Sequence, residues 1–371
     1  SSSTRCSREP PPGVAPPIAV AHRAPGRGDD QPPPDPCGAR GRERRTRRHR
    51  AGFPGPFTVL PDGRLLYGER FTGRIRLRDP ATGSDSLVWT VPDVATEGEQ
   101  GLLGLALAPE YPSARAVFAY VTRTVGGAPE NQIVSIRVTQ RNVGTDMTVV
   151  YRARATSLHN GGRIMFGPDG NLYAAVGQAQ NPANSQHLRN PFGKILRMAP
   201  SGAVPPDNPF GNLLWAYGFR NSYGFAFDAL TAQLWASDNG PECNDELNLV
   251  RRGRNYGWGP SATCATPPPP PLNTNRDGYR PAQPSAFSVQ ATAPTGVAFC
   301  SMCGIPDIEG RLVYGTWITR QLRAVTLDAT RREVLSEAPV YTHSAGILSV
   351  ERGPDGQLYF SDPSGVYRLA P

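Results

Sequence analysis

The chain has 371 residues, 40 of them glycine and 40 proline, with 38% apolar residues and a formal charge of +8. So much glycine and proline suits many short strands joined by tight turns and argues against a helical bundle. No run of about 18 apolar residues occurs, which excludes a membrane-spanning helix, and much of the positive excess sits ahead of residue 52 instead of forming a stripe, which argues against nucleic acid as a partner.

Residues 1–51 combine proline runs, Pro10 to Pro12 and Pro32 to Pro34, with an arginine run from Arg40 to Arg50. They hold too little apolar surface to offset the entropy of ordering, so a disordered basic tail is expected there. From Phe57 the texture changes. A Pro-Asp-Gly turn followed by apolar residues recurs as LPDGRLLYGER from Leu60, FGPDGNLYAAVGQ from Phe166 and RGPDGQLYFSD from Arg352. Asp-Gly supplies the positive φ values of a tight hairpin, and each copy predicts two antiparallel strands with period-two patterning. FDALTAQLWASDNG from Phe227 and GRLVYGTWITRQLRAVTL from Gly310 read as degenerate copies. At roughly 40 to 50 residues per repeat, residues 52–371 hold about six blades, which predicts an all-β, six-bladed β-propeller of four-stranded antiparallel blades. The stretches Gln178 to Asn212 and Asn239 to Pro284 read as long inserted loops, where function concentrates.

The six cysteines are Cys6 and Cys37 in the tail and Cys243, Cys264, Cys300 and Cys303 beyond it. Their spacing predicts two local disulfides, Cys243 with Cys264 and Cys300 with Cys303, in an oxidising compartment. His187 and His343 lie in polar loops with no second ligand at zinc spacing, and neither a G-x-S-x-G elbow nor a phosphate-binding glycine loop is present.

Three segments carry candidate chemistry: GEQGLLGLAL from Gly98, LHNGGRIMFGPDG from Leu158, and YGFRNSYGFAFD from Tyr217 running on to ASDNGPECNDELNLVRRGRNYGWG from Ala236. In order and spacing they resemble the glucose/sorbosone dehydrogenases, the soluble aldose dehydrogenases dependent on pyrroloquinoline quinone (PQQ), over most of residues 53–371. The resemblance implies oxidation of an aldose sugar at C1 to a lactone, hydride transfer to PQQ, electrons passed to an external acceptor, and a monomeric or homodimeric periplasmic or extracellular protein whose signal is not among these residues. It implies that His159, a side chain whose ordinary pKa lies near neutrality, is the base that takes the C1-hydroxyl proton. It assigns Gln100, Arg220 and Asn221 to PQQ, whose carboxylates and quinone oxygens suit a planar guanidinium and amides. The carbonyls of Gly240 and Pro241 are implied to hold a calcium that also touches PQQ, and Asp245, Glu246 and Tyr256 a second, structural calcium; oxygen donors on a Gly-Pro turn are calcium chemistry.

Lys194, the sole lysine, falls where the family also has a lysine without a PQQ role. Two gaps stand against the pattern: the segment for a late cationic cofactor contact, Gly315 to Arg320, offers only Arg320, and Ile347-Leu348-Ser349 stands where family members often carry an Arg-Asp pair. The arginine run stands where the family has a strand that closes the ring, so a weaker closure is expected. Loss of cofactor contacts would leave a non-catalytic propeller that binds carbohydrate or a protein partner; a calcium-dependent lactonase-type propeller hydrolase is a third reading, and it calls for several inward carboxylates or amides from different blades.

Overall fold

The computed structural model describes residues 53–242, 245–260 and 291–370. Its strands form six antiparallel sheets, each built from consecutive strands. The first blade holds β1 (Pro54–Val59), β2 (Leu65–Glu69), β3 (Arg74–Arg78) and β4 (Asp85–Thr90). The second holds β5 (Leu102–Leu107), β6 (Ala116–Val125), β7 (Ala128–Val138) and β8 (Gly144–Arg154). The third holds β9 (Ile164–Phe166), β10 (Leu172–Val176), β11 (Lys194–Met198) and β12 (Leu214–Tyr217). The fourth has β13 (Ser222–Phe227), β14 (Leu234–Asp238) and β15 (Glu246–Val250), and the fifth β16 (Pro294–Phe299), β17 (Leu312–Thr316), β18 (Gln321–Leu327) and β19 (Val334–Thr342). The sixth has β20 (Ser349–Arg352), β21 (Leu358–Asp362) and β22 (Gly365–Arg368).

The six-bladed expectation is met, with one correction: among the described residues the fourth and sixth blades have three strands, not four. After Val250 the chain turns through Arg251 to Pro260 without a fourth strand, and β22 is the last described strand of the sixth blade. The two stretches read as loops also contain strands, β11 and β15, which complete the third blade and supply the outer strand of the fourth.

Each of the three Pro-Asp-Gly turns joins the first strand of its blade to the second. Only the glycine enters the left-handed region, Gly63 at φ 84°, Gly170 at 74° and Gly356 at 83°. The aspartate works through its side chain: Asp62, Asp169 and Asp355 each accept the backbone N–H two residues on, at 3.1 Å in all three turns. That explains why the pair recurs.

Strict polar/apolar alternation is absent where both sheet faces are covered. β10 is buried at every position; Leu172, Ala174 and Val176 pack toward the second blade, and Tyr173 and Ala175 toward the fourth. The same arrangement gives one apolar core per blade interface. Among the described residues the first and sixth blades meet by packing. β1 lies against the sixth blade, where Phe57, Val59, Leu65 and Tyr67 pack with Tyr359 and Val366, and Ser361 Oγ donates to the Gly55 carbonyl at 3.0 Å.

The first strands of neighbouring blades approach backbone to backbone, and glycine makes the approach possible. A Cβ on Gly224 would meet the Thr295 carbonyl and Gly296 Cα. Gly224→Ala is therefore expected to destabilise the propeller by about 1–3 kcal/mol through overpacking, read as a lower midpoint in urea with an unchanged m-value. An unchanged midpoint would show that these strands have room to separate.

Cys300 and Cys303, in the loop between β16 and β17, form a disulfide with Cα atoms 5.2 Å apart; Cys243 and Cys264 lie outside the described residues, as do residues 1–52. His343 is not a polar-loop residue. It is buried, with Nε2 3.0 Å from Asp362 Oδ2 and Nδ1 3.3 Å from the Tyr341 hydroxyl, and so ties the fifth blade to the sixth. Among the described residues no helix is long and apolar enough to cross a membrane.

Candidate active site

Antiparallel order sends alternate loops to the same end of a blade. The loops that enter each first strand and those between second and third strands share one end of the ring, opposite the Pro-Asp-Gly turns. Glu99 and Gln100 enter β5, His159 enters β9, Arg220 and Asn221 enter β13, and Gln178 and Asn239 follow β10 and β14. Hydrogen bonds draw most of them into one cluster.

Its centre is Glu99, half-buried, whose Oε2 accepts the His159 backbone N–H at 2.7 Å and the Asn221 Nδ2 at 3.3 Å. Burial pushes its carboxyl above the usual carboxylate range. Held by that bond, His159 sits at φ 58°, an uncommon value for a side-chain-bearing residue, and such backbone strain collects at functional sites. Its Nδ1 lies 3.0 Å from Gln178 Nε2, and Gln178 Oε1 accepts from the Trp258 indole N–H at 2.6 Å. Among the described residues no partner meets His159 Nε2, so that atom faces the open side of the cluster. Burial first, then the charge of Arg220, lowers the imidazole pKa to about 3, so the ring is neutral at physiological pH.

Arg220 and Asn221 are held by Asp238, which spends one oxygen on each backbone N–H at 2.8 Å. Burial pushes Asp238 up to about 7 against the pull of those two bonds. The Arg220 guanidinium lies over the Trp258 ring, 5.6 Å from its centroid, and donates from one nitrogen to the Asn239 carbonyl at 3.2 Å. Among the described residues no hydrogen-bond acceptor meets its other guanidinium nitrogens. Asn221 Oδ1 accepts from the Gly161 N–H at 3.2 Å, so this amide mainly joins the loops of the third and fourth blades.

The remaining predicted residues divide. Gln100 is 2% exposed and committed within the protein: Oε1 accepts the Glu97 N–H at 3.1 Å and Nε2 donates to the Thr156 carbonyl at 3.1 Å. Its neighbour Glu99 takes the place at the cluster. Asp245 is likewise occupied, Oδ1 by the Gly240 N–H and Oδ2 by Thr292 and Ala293, so it folds the Gly240–Pro241 turn. Tyr256 is a core side chain, stacked on Phe219, with its hydroxyl between the Leu249 carbonyl and the Arg251 N–H. Tyr256 is not brought to Asp245 and Glu246: its hydroxyl is engaged at the Leu249–Arg251 end of β15, whereas the two carboxylates lie at the Glu246 end, where the Asp245 charge helps raise the Glu246 pKa. Glu246 instead faces Asp238 across the β14–β15 ladder and accepts from Asn248 Nδ2 at 3.0 Å. Burial and the neighbouring Asp238 charge push it up to about 8.

The donors around the Gly240–Pro241 turn fit a hard cation. Among the described residues Asn239 Oδ1, beside that turn, and Asn248 Oδ1, on β15, are buried amide oxygens with no hydrogen-bond donor, and unpaired oxygen atoms suit such a cation. Elsewhere, the Lys194 ammonium is fully buried on the carbonyls of Asn184, Ser185 and Phe192 at 2.8, 3.0 and 2.5 Å, where it braces the loop that follows Gln178. Arg320 lies at the same end of the ring as the cluster, exposed, and reaches the Ser344 carbonyl at 3.4 Å. Glu99, Gln178, Asp238 and Trp258 were not singled out by sequence. Glu99, Asp238 and Trp258 stand within the three motifs, and Gln178 closes the FGPDGNLYAAVGQ hairpin phrase, so position in or beside these phrases was their signal.

The Glucose / Sorbosone dehydrogenase family model matches residues 53–367. The aldose sugar dehydrogenase of Escherichia coli (strain K12) is 27% identical over 329 residues, 82% of this chain and 86% of its own. Quinoprotein glucose dehydrogenase B of Acinetobacter calcoaceticus is 30% identical over 232 residues, 53% of this chain and 48% of its own. Among solved structures, the PQQ-bound aldose sugar dehydrogenase of Streptomyces coelicolor superposes with a TM-score of 0.74 at 29% identity, covering 89% of this chain and 97% of that one. With a match that runs the length of the propeller and includes the His159 and Arg220 motifs, the chain belongs to the glucose/sorbosone dehydrogenase family of oxidoreductases.

Proposed function

We propose that this protein oxidises aldose sugars at C1 to the lactone in the periplasm or outside the cell, using PQQ, with calcium at the Gly240–Pro241 turn, and passes the electrons to an external acceptor. The observation that carries the reading is the convergence of His159, Arg220 and Asn221 through Glu99, Gln178 and Asp238 at one end of the ring. PQQ, when bound, supplies the acceptor for the C1 hydride.

The residues divide the remaining work. Arg220 has guanidinium N–H groups that meet no acceptor among the described residues and an aromatic neighbour in Trp258, a pairing that suits a flat polycarboxylate. His159 presents Nε2 toward the open side and takes the C1-hydroxyl proton there in the tautomer that leaves Nε2 unprotonated, and its lowered pKa keeps the ring uncharged at physiological pH. Asp238 and Asp245 shape the turn, and Asn239 Oδ1 with the Gly240 and Pro241 carbonyls offers the cation its oxygens.

Reconstitution of the metal-free protein with PQQ and calcium, followed by dye reduction with a panel of aldoses, tests the whole reading; absence of PQQ binding under saturating calcium would refute it and leave a non-catalytic propeller. Arg220→Ala is expected to weaken PQQ binding at least tenfold, about 1.4 kcal/mol, as loss of a charge-assisted contact should. Calcium in hundredfold excess over its Kd should stabilise the fold by about 2.7 kcal/mol, measurable as a rise in Tm reversed by chelator.

A further inference from the structure

An indole N–H can only donate a hydrogen bond. Trp258 Nε1 lies 2.6 Å from Gln178 Oε1, which fixes the Gln178 amide with its NH2 toward His159. The Trp258 backbone is held where it stands, its N–H donating to the Gly218 carbonyl at 2.9 Å and its carbonyl accepting from Gln186 Nε2 at 2.6 Å. Gln178 Nε2 then meets His159 Nδ1 at 3.0 Å, and an amide nitrogen can only donate, so Nδ1 accepts. In a neutral imidazole the proton must therefore sit on Nε2.

We infer that Gln178, oriented by Trp258, is a positioning residue that holds His159 in the Nε2–H tautomer, so that the imidazole meets a substrate first as a donor and not as a base. Gln178 is 3% exposed, so water does not compete for the relay. The charged groups around the ring, Arg220 and Glu99, are bonded elsewhere or act on its charge: Glu99 accepts from the His159 backbone, and Arg220 disfavours the doubly protonated, charged ring.

The consequence for turnover rests on the proposed sugar oxidation, whereas the tautomer does not. To take the C1-hydroxyl proton at Nε2, the ring must first carry its own proton on Nδ1; it then becomes imidazolium as the C1 hydride leaves for the quinone acceptor. Reaching that tautomer means turning the Gln178 amide and giving up the bond from Trp258. A competent state that is only fractionally populated lowers the apparent rate by that fraction. A carboxylate at position 178 would reverse the arrangement: one oxygen would accept from Trp258, the other from Nδ1–H, and Nε2 would be left as an acceptor.

The test is long-range proton–nitrogen correlation NMR on protein labelled with 15N-histidine, with the His159 signal assigned by its loss in His159→Gln. The wild type is expected to show the Nε2–H pattern at neutral pH, and Gln178→Glu the Nδ1–H pattern. Trp258→Phe, which removes the orienting donor, should give a mixture. A wild-type Nδ1–H pattern, or no change in Gln178→Glu, would overturn the inference. With PQQ and calcium added, Gln178→Glu should raise kcat/KM on order of tenfold, with its acid limb moved to higher pH. A tautomer switch with no gain in sugar oxidation would uphold the relay and refute the base role of His159.

Discussion

His159→Gln is expected to lower kcat with an aldose by roughly 10²- to 10⁴-fold while PQQ affinity stays within a few-fold of wild type. The split follows from the geometry. The ring offers only Nε2 to the open side, whereas Arg220 is held by Asp238 and by the Asn239 carbonyl, neither of which touches His159. Glu99 keeps its bond to the backbone N–H at position 159, so the loop should survive the change. Dye-reduction kinetics and fluorescence titration of PQQ check the two halves; full activity would remove His159 from the chemistry. The same variant has a signature in stability against pH. The folded pKa of His159 is depressed to about 3, so the unfolded chain binds this proton in preference. Its contribution is present above the unfolded value and is lost as pH falls toward 3, a loss of up to about 3 kcal/mol near pH 4. Acid denaturation of His159→Gln should lack that component, and identical acid limbs for the two proteins would contradict a buried neutral imidazole.

Asp238→Asn should damage fold and site together. The carboxylate spends one oxygen on each of two adjacent backbone N–H groups, those of Arg220 and Asn221, at the point where the chain enters β13. An asparagine offers one acceptor and must turn its NH2 toward the other N–H, which leaves a buried donor unsatisfied at a cost of about 1–3 kcal/mol. Because Arg220 and Asn221 are the residues so held, PQQ affinity should fall by about tenfold or more for a shift of about 1.4 kcal/mol. Urea denaturation and PQQ titration, run in parallel, test it. Lower stability with unchanged PQQ affinity would mean that this turn does not place the cofactor residues.

The propeller was legible because its cause is local and repeated. Pro-Asp-Gly closes the same turn three times, with glycine in the left-handed region and aspartate on the N–H two residues on. Strand number per blade was less legible. β11 and β15 lie inside stretches whose Gly, Pro and Asn content reads as loop, and what makes them strands is pairing with β10 and β14.

The site divides along the same line. His159, Arg220, Asn221 and the Gly240–Pro241 turn all stand in motifs legible in the sequence, and the three loops that carry them meet at one end of the ring because antiparallel order puts them there. Only the tertiary structure decided which side chain of each loop faces inward. Adjacent residues on a turn point apart, so Glu99 reaches the cluster while Gln100 is tied to Thr156, and Asp238 holds the backbone that Asp245 does not reach. The tautomer of His159 lies further still from the sequence, since it depends on Trp258, 99 positions along the chain, and on the fact that an indole can only donate.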